Sequence, residues 1–359
     1  MKILHLDTGR TLRGGQQQVL FLMQGLASRG HSQILLIPSG APSGVQARRA
    51  GFLVTEIPLG PLANLAAVPR IRTMIQRFQP DVLHLHDARA HGFGYLANRT
   101  LMRPMVVSRR VAFPLRMNYW SRYKYFALQQ RFIAVSLYVK GLMVQSGIPA
   151  QLIDVVYDCV DLTLQRGRKS REKPSVSADQ FLVGTVGALE PEKGHDLLIE
   201  AMGRLRSALP HCRCIIAGEG SLRPRFQARI AALQIEDTVQ IISPPDSLTD
   251  FLRGMDLFVL PSRVEGLGSI ILLAMRCGIP VLASNAGGIP ELVEDNATGF
   301  LFEKDEAGAL TQSLRTLGEN PAQRNSVIER AAAKISDQFS IEAMTEATLG
   351  CYQRVLAAS

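Results

Sequence analysis

The chain has 359 residues, 47% of them hydrophobic and 20% charged, which excludes a disordered chain and is too long for one ordinary core. No run approaches the roughly 18 apolar residues that a membrane span needs, and MKILHLD, its apolar run broken by His5 and Asp7, reads as a first strand rather than a signal peptide. The net charge of +9 is uneven: ten Lys/Arg and no Asp or Glu lie between Ala88 and Ile153, against 30 basic and 31 acidic residues elsewhere.

In chain order, MKILHLDT is predicted as a strand and QQQVLFLMQGLASRG as a helix closed by Gly30. HSQILLIPSG (strand), ANLAAVPRIRTMIQRFQP (helix), DVLHLHD, MRPMVVSRR and the short FIAVS (strands) follow. Near Arg166–Val176 the chain turns polar and proline-bearing (RGRKSREKPSV), the composition of a linker. Alternation then restarts with FLVGTVGA, HDLLIEAMGRLRSAL, RCIIAGEG, SLRPRFQARIAAL, TVQIIS, LTDFLRGM, LFVLPS, SIILLAMRCG and PVLAS. Short apolar strands alternating with helices predict two α/β domains with parallel sheets covered on both faces.

The five cysteines, at 159, 212, 214, 277 and 351, have no second Cys/His pair at zinc spacing and read as buried thiols of a reducing compartment. The chain is therefore expected in the cytoplasm, or resting on a membrane from that side. RMNYWSRYKYF (116–126), with the only Trp, interleaves aromatics and cations. That pattern suits an anionic membrane or acceptor, or a solvated face with aromatics tucked inward; nucleic acid is disfavoured, since no recognition helix or RNA-binding strand motif accompanies it. A dehydrogenase-type dinucleotide site is also disfavoured: Gly9, Gly14 and Gly15 are wrongly spaced, and GEG at 218–220 lacks its third glycine.

EGLGSIILLAMRCGIPVLASNAGGIPELVEDNATGFLF (265–302) closely resembles the C-terminal signature of glycosyltransferase family 4 (group 1). VGALEPEKGHDLLIEA (186–201), AGEGSLRPRF (217–226) and PSRVEGLG (261–268) continue the resemblance, and Gly14–Gly15, DVLHLHD (81–87) and YDCVD (157–161) extend it into the first half. The resemblance implies a GT-B fold, two Rossmann-like doubly wound parallel-sheet domains facing a central cleft. It implies an acceptor domain over 1–164, rejoined by a C-terminal helix in 340–359, and a nucleotide-sugar donor domain over 165–339. The activity implied is retaining, metal-independent transfer from a UDP-, GDP- or ADP-sugar, with no cofactor, to a hydroxyl of a lipid-linked or cell-envelope glycan. Peripheral contact with an anionic membrane would run through 99–131.

The matched residues suit that chemistry. A helix beginning at Ser269 after a glycine-rich turn offers backbone N–H groups and the positive end of its dipole to a diphosphate. Gly266 and Gly268 let the backbone approach a ligand. Lys193 adds a cation, or is simply an exposed turn lysine. Glu265 corresponds to the carboxylate that meets donor-sugar hydroxyls, or it complements its helix dipole. His86 lies at the carboxyl end of its strand, on the same face as Val82 and His84, and the resemblance sets it against the donor sugar; His84 is read as structural. The implied catalytic set is His86, Glu265 and Lys193. The implied donor site is Gly15, Gly187, Lys193, Arg263, Glu265, Gly266, Leu267, Gly268 and Ser269. The acceptor is assigned Gly14 with Arg109 and Arg110, two guanidiniums suited to a phosphate or carboxylate. H-x-H at 84–86 is not read as a metal site, because no third ligand is evident.

Two positions depart from the family pattern. Leu273 stands where a second Glu commonly reaches the nucleotide ribose, and Ala188 where many members have Arg. Arg10, Arg13 or Arg263 is expected to replace the missing charge. The alternatives are a nucleotide-sugar-binding protein with weak or no catalysis, or a GT-B isomerase or phosphorylase relative.

Overall fold

The computed structural model describes residues 1–59, 64–115, 119–127, 129–164, 166–167 and 180–358, without the side chains of 64, 65, 119 and 120. Residues 168–176 of the expected linker and 116–118 of the aromatic–basic segment lie outside the described residues, as does the side chain of Trp120. The chain forms two compact units, Met1–Cys159 with Ser340–Ser359, and Val160–Phe339. The first boundary, expected at 164, falls at Cys159–Val160.

The first unit is built on seven parallel strands: β1 (Lys2–Leu6), β2 (Ser32–Pro38), β3 (Leu53–Ile57), β4 (Val82–Leu85), β5 (Met105–Arg109), β6 (Gln130–Ala134) and β7 (Ile153–Val155). Their spatial order is β3-β2-β1-β4-β5-β6-β7. KILHL, SQILLIP and VLHL are buried along nearly their whole length, as strands covered on both faces must be. Strands β3 and β7 were not anticipated. The first is an edge strand, LVTEI, with polar residues and partial burial, and the second has only three residues. Strand order reverses between β1 and β4, the switch point where open α/β sheets leave room for ligands.

Helix Ile341–Ala357 belongs to this unit. Ser340 caps it by accepting a 3.0 Å bond from the Ala343 N–H. Met344, Cys351, Tyr352 and Val355 recur at helical spacing and pack with Ile3, Leu22, Val82 and Val106. Gly25, on helix Gly14–Ala27, sits so close to Thr345 that a Cβ there would overlap its hydroxyl.

The second unit carries six parallel strands: β8 (Phe181–Val186), β9 (Cys212–Ala217), β10 (Val239–Ile242), β11 (Leu257–Leu260), β12 (Val281–Ser284) and β13 (Phe300–Phe302). Their order, β10-β9-β8-β11-β12-β13, puts the reversal between β8 and β11. Cys212 and Cys214 alternate on β9, and all five cysteines are buried thiols. Burial pushes the Cys212 thiol up to about 12. Among the described residues, no helix is long and apolar enough to cross a membrane.

Candidate functional site

In the second unit the loops after β8 and β11 leave neighbouring strands at the switch point and run side by side. They are joined through the backbone: the N–H groups of Arg263 and Val264 both donate to the Glu192 carbonyl, at 2.8 and 3.4 Å. Gly194 adopts φ +64°, and a Cβ there would overlap the Pro261 carbonyl oxygen. On the other side, Gly287 and Gly288 press on the carbonyls of Glu265 and Gly266, and the Gly288 N–H donates to the Glu265 oxygen at 3.1 Å.

This packing brings Lys193 Nζ to 2.7 Å from Glu265 Oε2, although 72 residues separate them. Ser262 Oγ donates to the same oxygen at 3.1 Å. Both bonds go to Oε2, which leaves Oε1 for a ligand hydroxyl. The side chains are 26% and 15% exposed, so the pair is only partly screened by water. The lysine, bonded once, retains two N–H donors for an anion.

Other expected donor residues lie around this pair in different states. Arg263 is already balanced: it grips Asp196 with two bonds, at 2.7 and 2.8 Å, and reaches Asp305 at 2.7 Å. It is therefore not a spare charge in place of Ala188. The Leu267 side chain is buried, so only its backbone can meet a ligand. Gly268 holds φ +90°, which a side chain would strain. Ser269 stands at the N-cap of helix Ile270–Arg276, which begins one residue later than expected and is only seven residues long. Gly187 follows β8 beside His195, whose Nε2 donates to the Ala188 carbonyl at 3.2 Å. Burial pulls the His195 pKa down to about 4, so it is neutral. Leu273 is half-buried on its short helix.

In the first unit, register places His5 on β1 directly beside His84 on β4, and His86 follows at the strand end. The pair expected from the sequence is thus a trio. His5 Nδ1 and His86 Nε2 are 2.9 Å apart, and His5 Nε2 is 3.0 Å from Gln33 Oε1. His84 is bonded at Nδ1 to the Tyr352 hydroxyl, 2.6 Å, and at Nε2 to the Ser108 hydroxyl, 2.7 Å, a structural setting for that ring. Burial lowers the pKa of all three, His5 to about 4. One nitrogen from each ring lies within 4.8 Å of the others, close enough to hold a cation. The third imidazole that the sequence reading found wanting is His5. His5 stands on the first strand, and its place beside H-x-H appears only when β1 and β4 are paired in register.

Around the trio, Asp7 accepts from the Gly9 N–H at 2.6 Å and from Gln16 Nε2 at 3.2 Å, and burial raises its carboxyl above the usual range, with Asp87 adding to the rise. Asp87 is committed to structure: it caps helix Ala88–Asn98 and accepts from the backbone and hydroxyl of Thr8. Arg110 pairs with Asp158 at 3.1 Å and passes over Gly15, whose Cβ would sit 3.8 Å from its Cδ. A Cβ on Gly14 would meet nothing within 4 Å among the described residues, so packing does not demand glycine there.

The expected two-arginine grip does not form. Arg109 donates to the Phe113 carbonyl and bonds Tyr125, whereas Arg110 pairs with Asp158 at 3.1 Å. Consecutive residues at a strand end point to opposite faces. Of the arginines considered in place of Ala188, Arg10 donates to the Leu59 carbonyl.

Two family models match in tandem, Glycosyltransferase Family 4 over residues 12–164 and Glycosyl transferases group 1 over 167–334. The chain belongs to the group 1, family 4 glycosyltransferases. Among curated proteins it resembles D-inositol 3-phosphate glycosyltransferases of Mycobacterium tuberculosis (strain ATCC 25618 / H37Rv) and Mycobacterium bovis (strain BCG / Pasteur 1173P2). Each is 35% identical over 216 residues, which is 57% of this chain. The match spans only 44% of the length of those relatives. Among solved structures, Anabaena Alr3699/HepE in complex with UDP superposes with a TM-score of 0.84 at 22% identity, covering 99% of this chain and 100% of that one. A glycosyltransferase from Rickettsia africae ESF-5 superposes at 0.85 and 21% identity, covering 100% and 99%. These likenesses establish the fold: this family member has the GT-B architecture, with seven- and six-stranded parallel sheets.

Proposed function

We propose that this family member is a retaining, metal-independent glycosyltransferase, moving a hexose from a nucleotide sugar to an acceptor hydroxyl. The observation that carries this reading is the Lys193–Glu265 pair, held where the loops of β8 and β11 are joined. Breaking the anomeric C–O bond sends its electron pair to the diphosphate, so negative charge builds on the leaving group while the anomeric carbon turns cationic. Lys193 answers the first charge, and Glu265 answers the second while accepting a sugar hydroxyl at Oε1. In front-face transfer the acceptor oxygen bonds the same face of that carbon, and its proton passes to the departing phosphate oxygen. His86 takes a sugar hydroxyl, and the open space at Gly14 suits a ligand. No step assigned to these residues calls for a metal or a cofactor.

Alr3699/HepE with UDP-glucose, 23% identical to this chain, favours a uridine nucleotide. A lipid-linked or cell-envelope glycan is proposed as acceptor, with peripheral contact to an anionic membrane. The support is exposed Val111, Phe113, Tyr123 and Phe126 near Arg122 and Lys124, within a stretch free of carboxylates.

The test is calorimetric titration of UDP-, GDP- and ADP-sugars with EDTA present, with donor turnover followed in parallel for the native chain and Glu265→Gln. One donor should bind and turn over, and the substitution should cut turnover about 100-fold or more while leaving the fold intact. Binding without turnover would favour the second reading, a nucleotide-sugar-binding protein, to which Leu273, Ala188 and the balanced Arg263 point. Turnover that requires free phosphate, or donor conversion without acceptor, would instead mark a phosphorylase or isomerase.

A further inference from the structure

His5, His84 and His86 carry six ring nitrogens, of which five have hydrogen-bond partners. The sixth, Nδ1 of His86, is buried without one among the described residues. Gln33 explains why. Its Nε2 donates to the Met23 carbonyl at 2.9 Å, which fixes the amide and turns Oε1, an acceptor only, toward His5 Nε2. His5 is fully buried and neutral, its pKa drawn down to about 4. A neutral ring facing an acceptor holds its proton on Nε2, so His5 Nδ1 is bare. His86 Nε2, 2.9 Å away, must then carry the proton of the bond between them. His86 is neutral as well, so its Nδ1 is a bare lone pair. The two hydroxyls on His84 serve either tautomer and impose nothing on the chain.

We propose that Gln33 and His5 are positioning residues that hold His86 in its Nε2–H form, so that Nδ1 accepts a hydrogen bond from a hydroxyl of the bound sugar. The relay itself is a property of the first unit alone. Only the identity of the hydroxyl rests on the transferase reading above. A ring locked this way takes a hydroxyl proton and rejects a carbonyl or ether oxygen at the same point, which makes the relay a specificity device. A divalent cation on the three rings is the competing occupant, since one nitrogen of each lies within 4.8 Å of the others; taken through His86 Nε2, it would displace the proton that joins His86 to His5.

The experiment reads tautomers in protein labelled with 15N-histidine, using long-range proton–nitrogen correlation, with rings assigned by His5→Asn and His86→Asn. In the ligand-free chain both His5 and His86 should show Nε2 protonated and Nδ1 bare. Gln33→Leu should mix the two forms at both rings and lower kcat/KM for the nucleotide sugar about tenfold. Gln33→Glu, which still accepts from His5, should keep the tautomers and most of the activity; a mere packing role predicts the reverse ranking, because Glu buries a charge. Proton on His86 Nδ1 in the native chain, unchanged tautomers in Gln33→Leu, or loss of the His86 Nε2–H signal on adding one equivalent of Zn2+ would each overturn the proposal. If the tautomers are as stated and no nucleotide sugar moves the His86 Nδ1 resonance, the assignment of the hydroxyl to a sugar falls and the relay stands.

Discussion

Lys193 and Glu265 sit 2.7 Å apart, where one charge pair is worth about 6 kcal/mol at an effective dielectric near 20, before desolvation. Glu265→Gln keeps the shape and removes the charge, so kcat should fall about 100-fold or more, roughly 2.7 kcal/mol. The partly exposed pair should cost only about 1–2 kcal/mol of stability, measured by denaturant titration. Arg263 should behave oppositely. Its bonds go to Asp196 and Asp305, so Arg263→Gln should lower stability by about 1 kcal/mol and leave KM for the donor within about threefold. A tenfold rise in KM would show that the arginine meets the donor. Leu273→Glu restores the family carboxylate on helix Ile270–Arg276. If the ribose lies there, a charged hydrogen bond of about 1.5–3 kcal/mol should tighten nucleotide binding about tenfold to 100-fold by calorimetry. Glu265 and Lys193 were legible in the sequence through the motifs around them. That Arg263 is already balanced was not, because Asp196 and Asp305 reach it from distant parts of the chain.

At the scale of elements, the loops after β8 and β11 are shaped by close approach of backbone to backbone. Gly194→Ala would combine a positive φ with overlap on the Pro261 carbonyl. Donor binding should weaken at least tenfold, with the first unit's melting unaffected, since the strain is local to the loop junction. Helix Ile341–Ala357 is a different case, because the family resemblance implied a C-terminal helix within 340–359 that rejoins the first domain, and it belongs to that unit. What was not legible is its detail: Tyr352 closes the core of the first unit and bonds His84. Tyr352→Phe leaves a nitrogen of a buried histidine without its partner and should cost about 1–3 kcal/mol in chemical denaturation. Strands β3, β7 and β13 escaped the sequence reading for a local reason, the first polar at the sheet edge and the other two only three residues long.

For the whole molecule the buried histidines set a pH limit. Burial holds His5 and His195 at about 4 and His91 at about 3, and keeps His84 and His86 well below the ordinary value. The unfolded chain takes up these protons near pH 6.5. Between about pH 6.5 and 4 the unfolded state therefore binds more protons than the folded one. The stability from these groups is complete above pH 6.5 and is lost as pH falls, by about 1.4 kcal/mol per pH unit for each proton taken up. Thermal melting across pH 7.5 to 4.5 should show a steep decline below about 6.5; a flat profile would contradict the neutral, buried state of the trio.

The two α/β units were readable from the sequence alone, because apolar periodicity and turn chemistry are local and the buried central strands announce themselves within a dozen residues. The family was readable too, since its motifs lie in continuous stretches around switch-point loops. What only the tertiary structure decided depends on register between strands remote in the chain. Pairing β1 with β4 brings His5 to His84 and His86, while Asp158, far along the chain, takes Arg110 and the Phe113 carbonyl takes Arg109. A one-residue change of register would turn His5 away from His84 without altering a letter of the local pattern, because side chains alternate faces along a strand.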